Sequence, residues 1–486
     1  MLKNNMKIEQ LAPLSDEFVN VELCDKRLKK RLMTIVDAAE KLPGASLPEQ
    51  AGSSAALEGT YRFVENPRVS PESLLDAHVR HTVERAGQHP FVYVIHDTTE
   101  FKFGGQKRRE GLGRLKSGND QGFLGHFTAC VAPSGEPLGT LGLYAWRREG
   151  KSKGRRSQQE SQSDPNRESL RWIDSALQAG ELLHDTSNAI HLMDREGDSY
   201  ELFAFLLDSG ERFVIRLSHD RRREGGRSAP TMPKLFETLS NAPYLFEREV
   251  VLSERNNRKI GTKKATFPDR RKRLARLEVR ATHQEIFIGN GSPAHLPPSL
   301  RLNFVEVREA YPPEGEEPVI WRLVTTESID TEEDVAAIID AYLTRWIIEE
   351  FFKALKTGCR YQQHQLESGR TLLVLLAIET AVAWRMLLLR WLAHNASDAP
   401  AEKVLNPAQL SLLLGLIRQK KRQTPDKITV SYILCEIATL GGYIKNNGPP
   451  GWLVLRRGFD QLYSMEKGWQ LAQAVKTDNS KDVINL

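Results

Sequence analysis

PFVYVIHD, residues 90–97, and AIHLMD, residues 189–194, are two short runs that lead directly into an aspartate. Apart from their histidines the residues before each acid are apolar. That is the composition of a strand buried on both faces in the middle of a sheet. Asp97 and Asp194 are therefore expected where two buried strands end. Open α/β sheets collect functional groups just beyond strand carboxyl ends, and neighbouring strands would set these acids side by side. Two carboxylates that close repel each other unless a cation lies between them.

Outward from these runs, strand candidates at 126–131, 141–146 and 212–217 alternate with helical spacing at 167–183 and 200–207. Such alternation is the signature of an α/β layer architecture. Residues 218–331 turn charged and proline-containing, with strand-like stretches at 244–252, 302–307 and 319–325, and read as an inserted, mainly β subdomain. Ahead of the core, 16–75 is helical and basic, the texture of a compact DNA-binding unit or of an ordinary basic surface. Behind it, 332–356 is strongly helical, 366–393 forms a second long helix, and amphipathic segments follow at 432–440 and 459–471. Tail helices of this kind either mediate association or pack within their own chain. The expected domains are 1–75, 76–395 with the insertion, and 396–486.

At 486 residues the chain exceeds what one hydrophobic core usually supports, and 40% hydrophobic residues mark an ordinary globular protein. The net charge of +5 is modest, but positive residues cluster at Lys107–Arg109, Lys151–Arg156, Arg221–Arg223 and between Arg255 and Arg280. One such run is usually a solvated loop; several together favour a polyanion partner. Cys24, Cys130, Cys359 and Cys435 form no CxxC pair, so neither a zinc site nor a disulfide framework is indicated, and a reducing cytoplasm fits. The longest apolar stretch, 372–389, is interrupted by Glu379 and Arg385 and reads as a buried helix with no membrane role.

On one continuous helix through 342–356, at about 100° per residue, Tyr342, Arg345, Glu349, Lys353 and Lys356 share a polar face opposite Ile347, Phe351 and Leu355. A solvent-exposed face with pairs such as Glu349 and Lys353 would look the same. Combined with two strand-end aspartates, the face instead suggests a three-acid set, Asp97, Asp194 and Glu349. Their hard oxygens suit Mg²⁺, with Mn²⁺ as a substitute; two ions about 4 Å apart would serve phosphoryl transfer on DNA.

YLTRWIIEEFFKALKTG, residues 342–358, carries Tyr342, Arg345, Glu349 and Lys356 at the spacing of the Tyr-Arg-Glu-Lys signature, and IHDTTEF and MDREGDSYELF surround the two aspartates. In these motifs the chain resembles the bacterial DDE cut-and-paste insertion-sequence transposases, the group to which the transposase of the kanamycin-resistance composite transposon belongs. EGTYRF at 58–63 and the GGYI and GW tail segments extend the likeness along the whole chain. The resemblance implies an RNase H-like (retroviral integrase-like) core, a helical N-terminal domain that binds transposon ends, a β insertion and a helical C-terminal dimerisation region. It implies nicking, hairpin formation and opening, and strand transfer into target DNA by a synaptic homodimer cutting in trans.

Carried over, Asp97, Asp194 and Glu349 would be catalytic metal ligands for two ions, and Tyr342, Arg345, Lys353 and Lys356 would grip phosphates. Trp321 would stack on a flipped base, its alternative being a core tryptophan. Arg216 and, in the N-terminal unit, Arg27, Arg31, Lys41, Tyr61 and Arg62 match DNA-contacting regions. Phe352 departs from the pattern, standing where a histidine is expected. The competing functions are a catalytically silent end-binding inhibitor and a general metal-dependent nuclease; the inhibitor reading is weakened because both the N-terminal segment and all three acids are present.

Overall fold

The computed structural model describes residues 11–105, 107–115, 120–148, 167–184, 189–221, 234–252, 254, 270–289, 293, 295–395, 398–421, 423–444 and 449–482. The basic run Lys151–Arg156, Arg222–Arg223 and much of the run from Arg255 lie outside them. Two compact units emerge: Met1–His89, Thr98–Lys151 and Ile347–Leu486 form the first, Pro90–Asp97 and Ser152–Trp346 the second. In chain order the helices are α1 (Lys26–Lys41), α2 (Leu47–Ala51), α3 (Ser54–Glu65), α4 (Pro71–Ala86), α5 (Leu170–Leu183), α6 (Tyr200–Asp208), α7 (Leu235–Ser240), α8 (Glu332–Thr344), α9 (Ile347–Lys353), α10 (Gly369–Asn395), α11 (Pro407–Gln419), α12 (Val430–Leu440) and α13 (Trp452–Asp482). The strands are β1 (Val92–Phe103), β2 (Gly113–Arg114), β3 (Gln121–Val131), β4 (Pro137–Trp146), β5 (Ala189–Met193), β6 (Arg212–Arg216), β7 (Tyr244–Leu252), β8 (Arg273–Phe287), β9 (Ser299–Glu309) and β10 (Ile320–Thr325).

In the second unit β1, β5 and β6 run parallel, and β10, β9, β8 and β7 continue the sheet antiparallel from β6. The segment expected as an inserted β subdomain is thus strand-rich, yet its strands extend the central sheet instead of closing on themselves. Leu323, Val324 and Thr325 pair with Arg216, Ile215 and Val214, which gives β6 a second neighbour. Trp172 of α5, Phe203 of α6 and Phe213 of β6 belong to one buried cluster beside this sheet.

β1 does not stop at Asp97, as the composition suggested, but runs six residues further. Its burial is continuous through His96 and then alternates, so a strand covered on both faces passes into one covered on a single face. The threonines and phenylalanines of the second half keep it extended.

The first unit is organised around α10, which is long and apolar enough to cross a membrane but has 89% of its most apolar window buried within the protein. Its buried Glu379 pairs through one oxygen with His364 Nε2 at 2.6 Å, so the acid predicted to interrupt the stretch has a partner inside the protein. Trp384 donates to the Pro137 carbonyl at 2.8 Å, and the Arg85 guanidinium lies 4.2 Å from its ring centroid. Arg85 also holds Glu17 at 2.6 Å, and Glu17 accepts from His78 Nδ1 at 2.6 Å. This buried network ties the first described turn to α4 and β4.

Burial pushes the Glu17 carboxyl up, but hydrogen bonds and charges from His78 and Arg85 outweigh it and lower its pKa to about 2. Because this folded value lies below the unfolded one, Glu17 stabilises the fold above pH 4.5, and that stability is lost as pH falls toward 2. The Glu17→Gln protein should be less stable at neutral pH and show a flatter loss of stability across this window. Equilibrium urea unfolding of both proteins at stepped pH measures it.

Candidate active site

The second unit brings together six of the residues singled out by sequence. β1 and β5 pair in parallel with His96 opposite Met193, so Asp97 and Asp194 are the next residues on adjacent strands. Strands so paired lie about 4.8 Å apart, which sets Asp97, midway along β1, beside Asp194, just past the end of β5. Beneath them runs a buried polar chain: His96 Nε2 lies 2.9 Å from His191 Nδ1, and His191 Nε2 lies 3.2 Å from Glu211. The Glu211 carboxylate sets the tautomers, with His191 donating from Nε2 and accepting from His96.

Asp194 caps the turn that follows it, accepting from the Glu196 N–H at 2.8 Å. Four residues on, buried Asp198 accepts from the backbone N–H groups of Ser218 at 2.5 Å and His219 at 2.7 Å and pairs with Arg221. The loop after β5 is thereby fastened to the chain after β6.

Asp97 is paired with Arg345 at 3.0 Å, their side chains 15% and 9% exposed. The Arg345 guanidinium lies 5.9 Å from the Tyr342 ring, and Tyr342 lies 6.3 Å from Trp321. Trp321 is half-buried on β10. Arg216 donates to the Ile320 carbonyl at 3.1 Å; burial lowers its pKa, while the Tyr342 hydroxyl acts in the other direction. Two carboxylates, two guanidinium groups, a phenol and an indole thus line one region.

The single helix expected over 332–356 is broken. At Arg345 and Trp346 the backbone tightens, their N–H groups bonding three residues back to Tyr342 and Leu343 at 3.2 and 3.1 Å. That turn accompanies the approach of Arg345 to Asp97. α9 then runs to Lys353, and Ala354–Gly358 is a π-turn. A count of 100° per residue does not survive either irregularity, so the shared polar face of Tyr342 through Lys356 is corrected.

Glu349, Lys353 and Lys356 belong to the first unit. Glu349 is half-buried. Lys353 pairs with Glu350 at 2.8 Å, and Glu350 also holds Arg390 and the Trp452 indole N–H. Lys356 donates to Thr99 at 2.6 Å and lies 5.6 Å from the Phe101 ring. Phe352 is buried against Phe127 at 5.7 Å, an apolar role consistent with its departure from the histidine. Within each unit, among the described residues, no group of three or more His, Cys, Asp or Glu forms a metal cluster.

Of the N-terminal residues, Arg27 pairs with Asp25 and Arg62 with Glu58 on the surface, and Lys41 is exposed at the end of α1. Arg31 lies across Gly59, where a Cβ would meet its guanidinium carbon at 2.5 Å. Tyr61 lines a cavity. Sequence reading missed Asp198, Glu211, Thr99 and Glu350. Asp198 was in view within MDREGDSYELF, but nothing in a linear string shows which backbone amides an acid will reach.

A family model described as Transposase DNA-binding matches residues 12–69, and one described as Transposase DDE domain matches 173–384. The protein is a DDE-type transposase acting on DNA. The DDE match includes Asp194 and Glu349 and begins after Asp97. It implies an RNase H-like fold for the transposase, in accord with its mixed sheet, and domains of this class generally use divalent metal ions.

The Asp97–Arg345 pair makes a direct prediction. Arg345→Ala leaves a mostly buried carboxylate without its cation and removes a fixed positive charge, so the transposase should lose about 100-fold or more in DNA cleavage rate while remaining folded. Single-turnover cleavage beside a circular-dichroism melt measures both; near-native cleavage would exclude Arg345 from the site.

Proposed function

We propose that this enzyme is a cut-and-paste transposase of the Tyr-Arg-Glu-Lys group, akin to the transposase of the kanamycin-resistance composite transposon, acting in the bacterial cytoplasm on double-stranded DNA. The observation that carries the reading is the placement of Asp97 and Asp194 side by side where two parallel strands stop pairing, with Arg345 on Asp97. Glu349 is assigned as the third acid.

The donor set fits hard cations: neighbouring carboxylate oxygens with polar partners suit Mg²⁺, or Mn²⁺, and two ions are proposed. Bound there, such ions would supply activation of a water or 3′-hydroxyl and stabilisation of the leaving oxygen. The chain's own cations do the positioning. Arg345 and Arg216 offer planar forks to phosphate oxygens, Tyr342 a hydroxyl, and Lys353 and Lys356 point charges. Half-buried Trp321 offers a π-face for a base flipped out as a hairpin forms on the transposon end.

In the same reading residues 12–69, with Arg27, Arg31, Lys41, Tyr61 and Arg62, recognise the end sequence. The helical tail 396–486 joins two subunits into a synaptic dimer that cuts in trans, and the strand-rich segment 218–331 serves as the insertion carrying Trp321.

Selection of bound duplexes from a random pool, followed by a Mg²⁺-dependent cleavage assay on the winners, tests the reading. Asp97→Ala, Asp194→Ala and Glu349→Ala should each abolish cutting and leave binding largely intact, and Trp321→Ala should impair hairpin formation more than the first nick. Full cleavage by the Glu349→Ala protein would remove that residue from the active site; binding without cleavage by the unmodified protein would favour an inhibitor.

A further inference from the structure

A polar cavity of about 520 Å³ in the first unit has Ser46 and Tyr61 on one side and Arg360, Gln363 and Gln365 on the other. The first two belong to the segment matched as transposase DNA-binding; the others follow the π-turn that contains Lys356. A second cavity of about 630 Å³ shares Gly44, Ala45 and Arg360 and adds Arg456 and Lys467 of α13. Arg360 stands where the two share a wall.

Its backbone is unusual. At φ 57° and ψ 29°, Arg360 occupies the left-handed region that glycine enters without strain. Keeping a bulky cation there is a local strain of the kind that clusters at functional sites. Its Nε donates to Gln363 at 2.6 Å and one Nη reaches the Gly44 carbonyl at 3.4 Å. A guanidinium has five donors, and both of these hydrogen bonds go to neutral amide oxygens. Two acids also line the groove and feel the Arg360 charge: Glu49, whose oxygen accepts from the Ser46 N–H at 2.7 Å, and Asp460, which pairs with Arg456 at 3.4 Å.

We propose that the groove at Arg360 holds a backbone phosphate of the duplex bound by residues 12–69, with Lys467 extending the positive track. The segment after Lys356 and the N-terminal domain then grip one DNA molecule together. This rests on the reading of 12–69 as the DNA-binding part. The occupant is a phosphodiester because the lining is polar, its cations Arg360, Arg456 and Lys467 outnumber its acids Glu49 and Asp460, and one wall is the DNA-binding segment itself.

The test uses the full chain and the duplex that the unmodified protein selects from a random pool. Arg360→Gln, which keeps the reach but not the charge, should bind about tenfold more weakly, with a log–log salt slope shallower by about 0.9 and an unchanged Tm. Arg360→Lys should recover most of the affinity. Arg360→Gly should raise the Tm by about 2 °C by relieving the left-handed strain, yet bind as weakly as Arg360→Gln. Opposite effects on stability and binding are not expected of a merely structural residue. Wild-type affinity and salt slope in Arg360→Gln would overturn the proposal while leaving DNA binding by 12–69 standing. Failure of the unmodified protein to retain any duplex would overturn both.

Discussion

Two carboxylates set side by side where adjacent parallel strands stop pairing repel each other, and the surroundings of Asp97 and Asp194 are arranged around that constraint. Pairing of β1 with β5 is backbone geometry, indifferent to side-chain charge, so the sheet sets the acids close whatever the electrostatic cost. The cost is met locally. Arg345 neutralises Asp97, and Asp194 spends an oxygen on the Glu196 N–H. The same two groups are then well suited to hold a divalent cation, since the sheet maintains their spacing without depending on the ion.

Around these acids the polar groups are interlocked. The His96–His191–Glu211 chain crosses strands that are otherwise apolar, a buried network in which each proton position depends on the next acceptor. Asp198 fastens the loop after β5 to the chain after β6, and Tyr342 bridges Trp321, Arg345 and Arg216. Support of this kind fixes these side chains relative to one another, as the positioning of a reacting group would demand. In the other unit, Glu350 holds Lys353, Arg390 and Trp452 and so anchors α9 beside Glu349.

Much of the fold was legible because burial writes itself into composition. β5, β6, β10, α5, α6 and α10 lie within a few residues of their expected spans, since each is either an apolar run or a strong helical repeat. Where the expectations failed, tertiary contacts outweighed local pattern. β1 runs past Asp97 because alternation takes over where continuous burial stops. The helix through 342–356 breaks because Arg345 has a partner far away in the chain, which no periodicity encodes. That β10, within the strand-rich segment 218–331, pairs onto β6 is a further fact that the segment's own sequence does not carry.

By itself the amino-acid string determined the chemistry on offer: two acids after buried strands, a third acid among spaced cations, and clustered positive charge suited to DNA. Spacing and composition are local properties, so they survive reading in one dimension. Only the tertiary structure decided which groups meet: Arg345 with Asp97, Tyr342 with Trp321 and Arg216, Lys356 with Thr99, and Arg360 with a cavity beside Tyr61. Those meetings depend on how strands pair and where helices bend, and both are set by packing between segments tens to hundreds of residues apart.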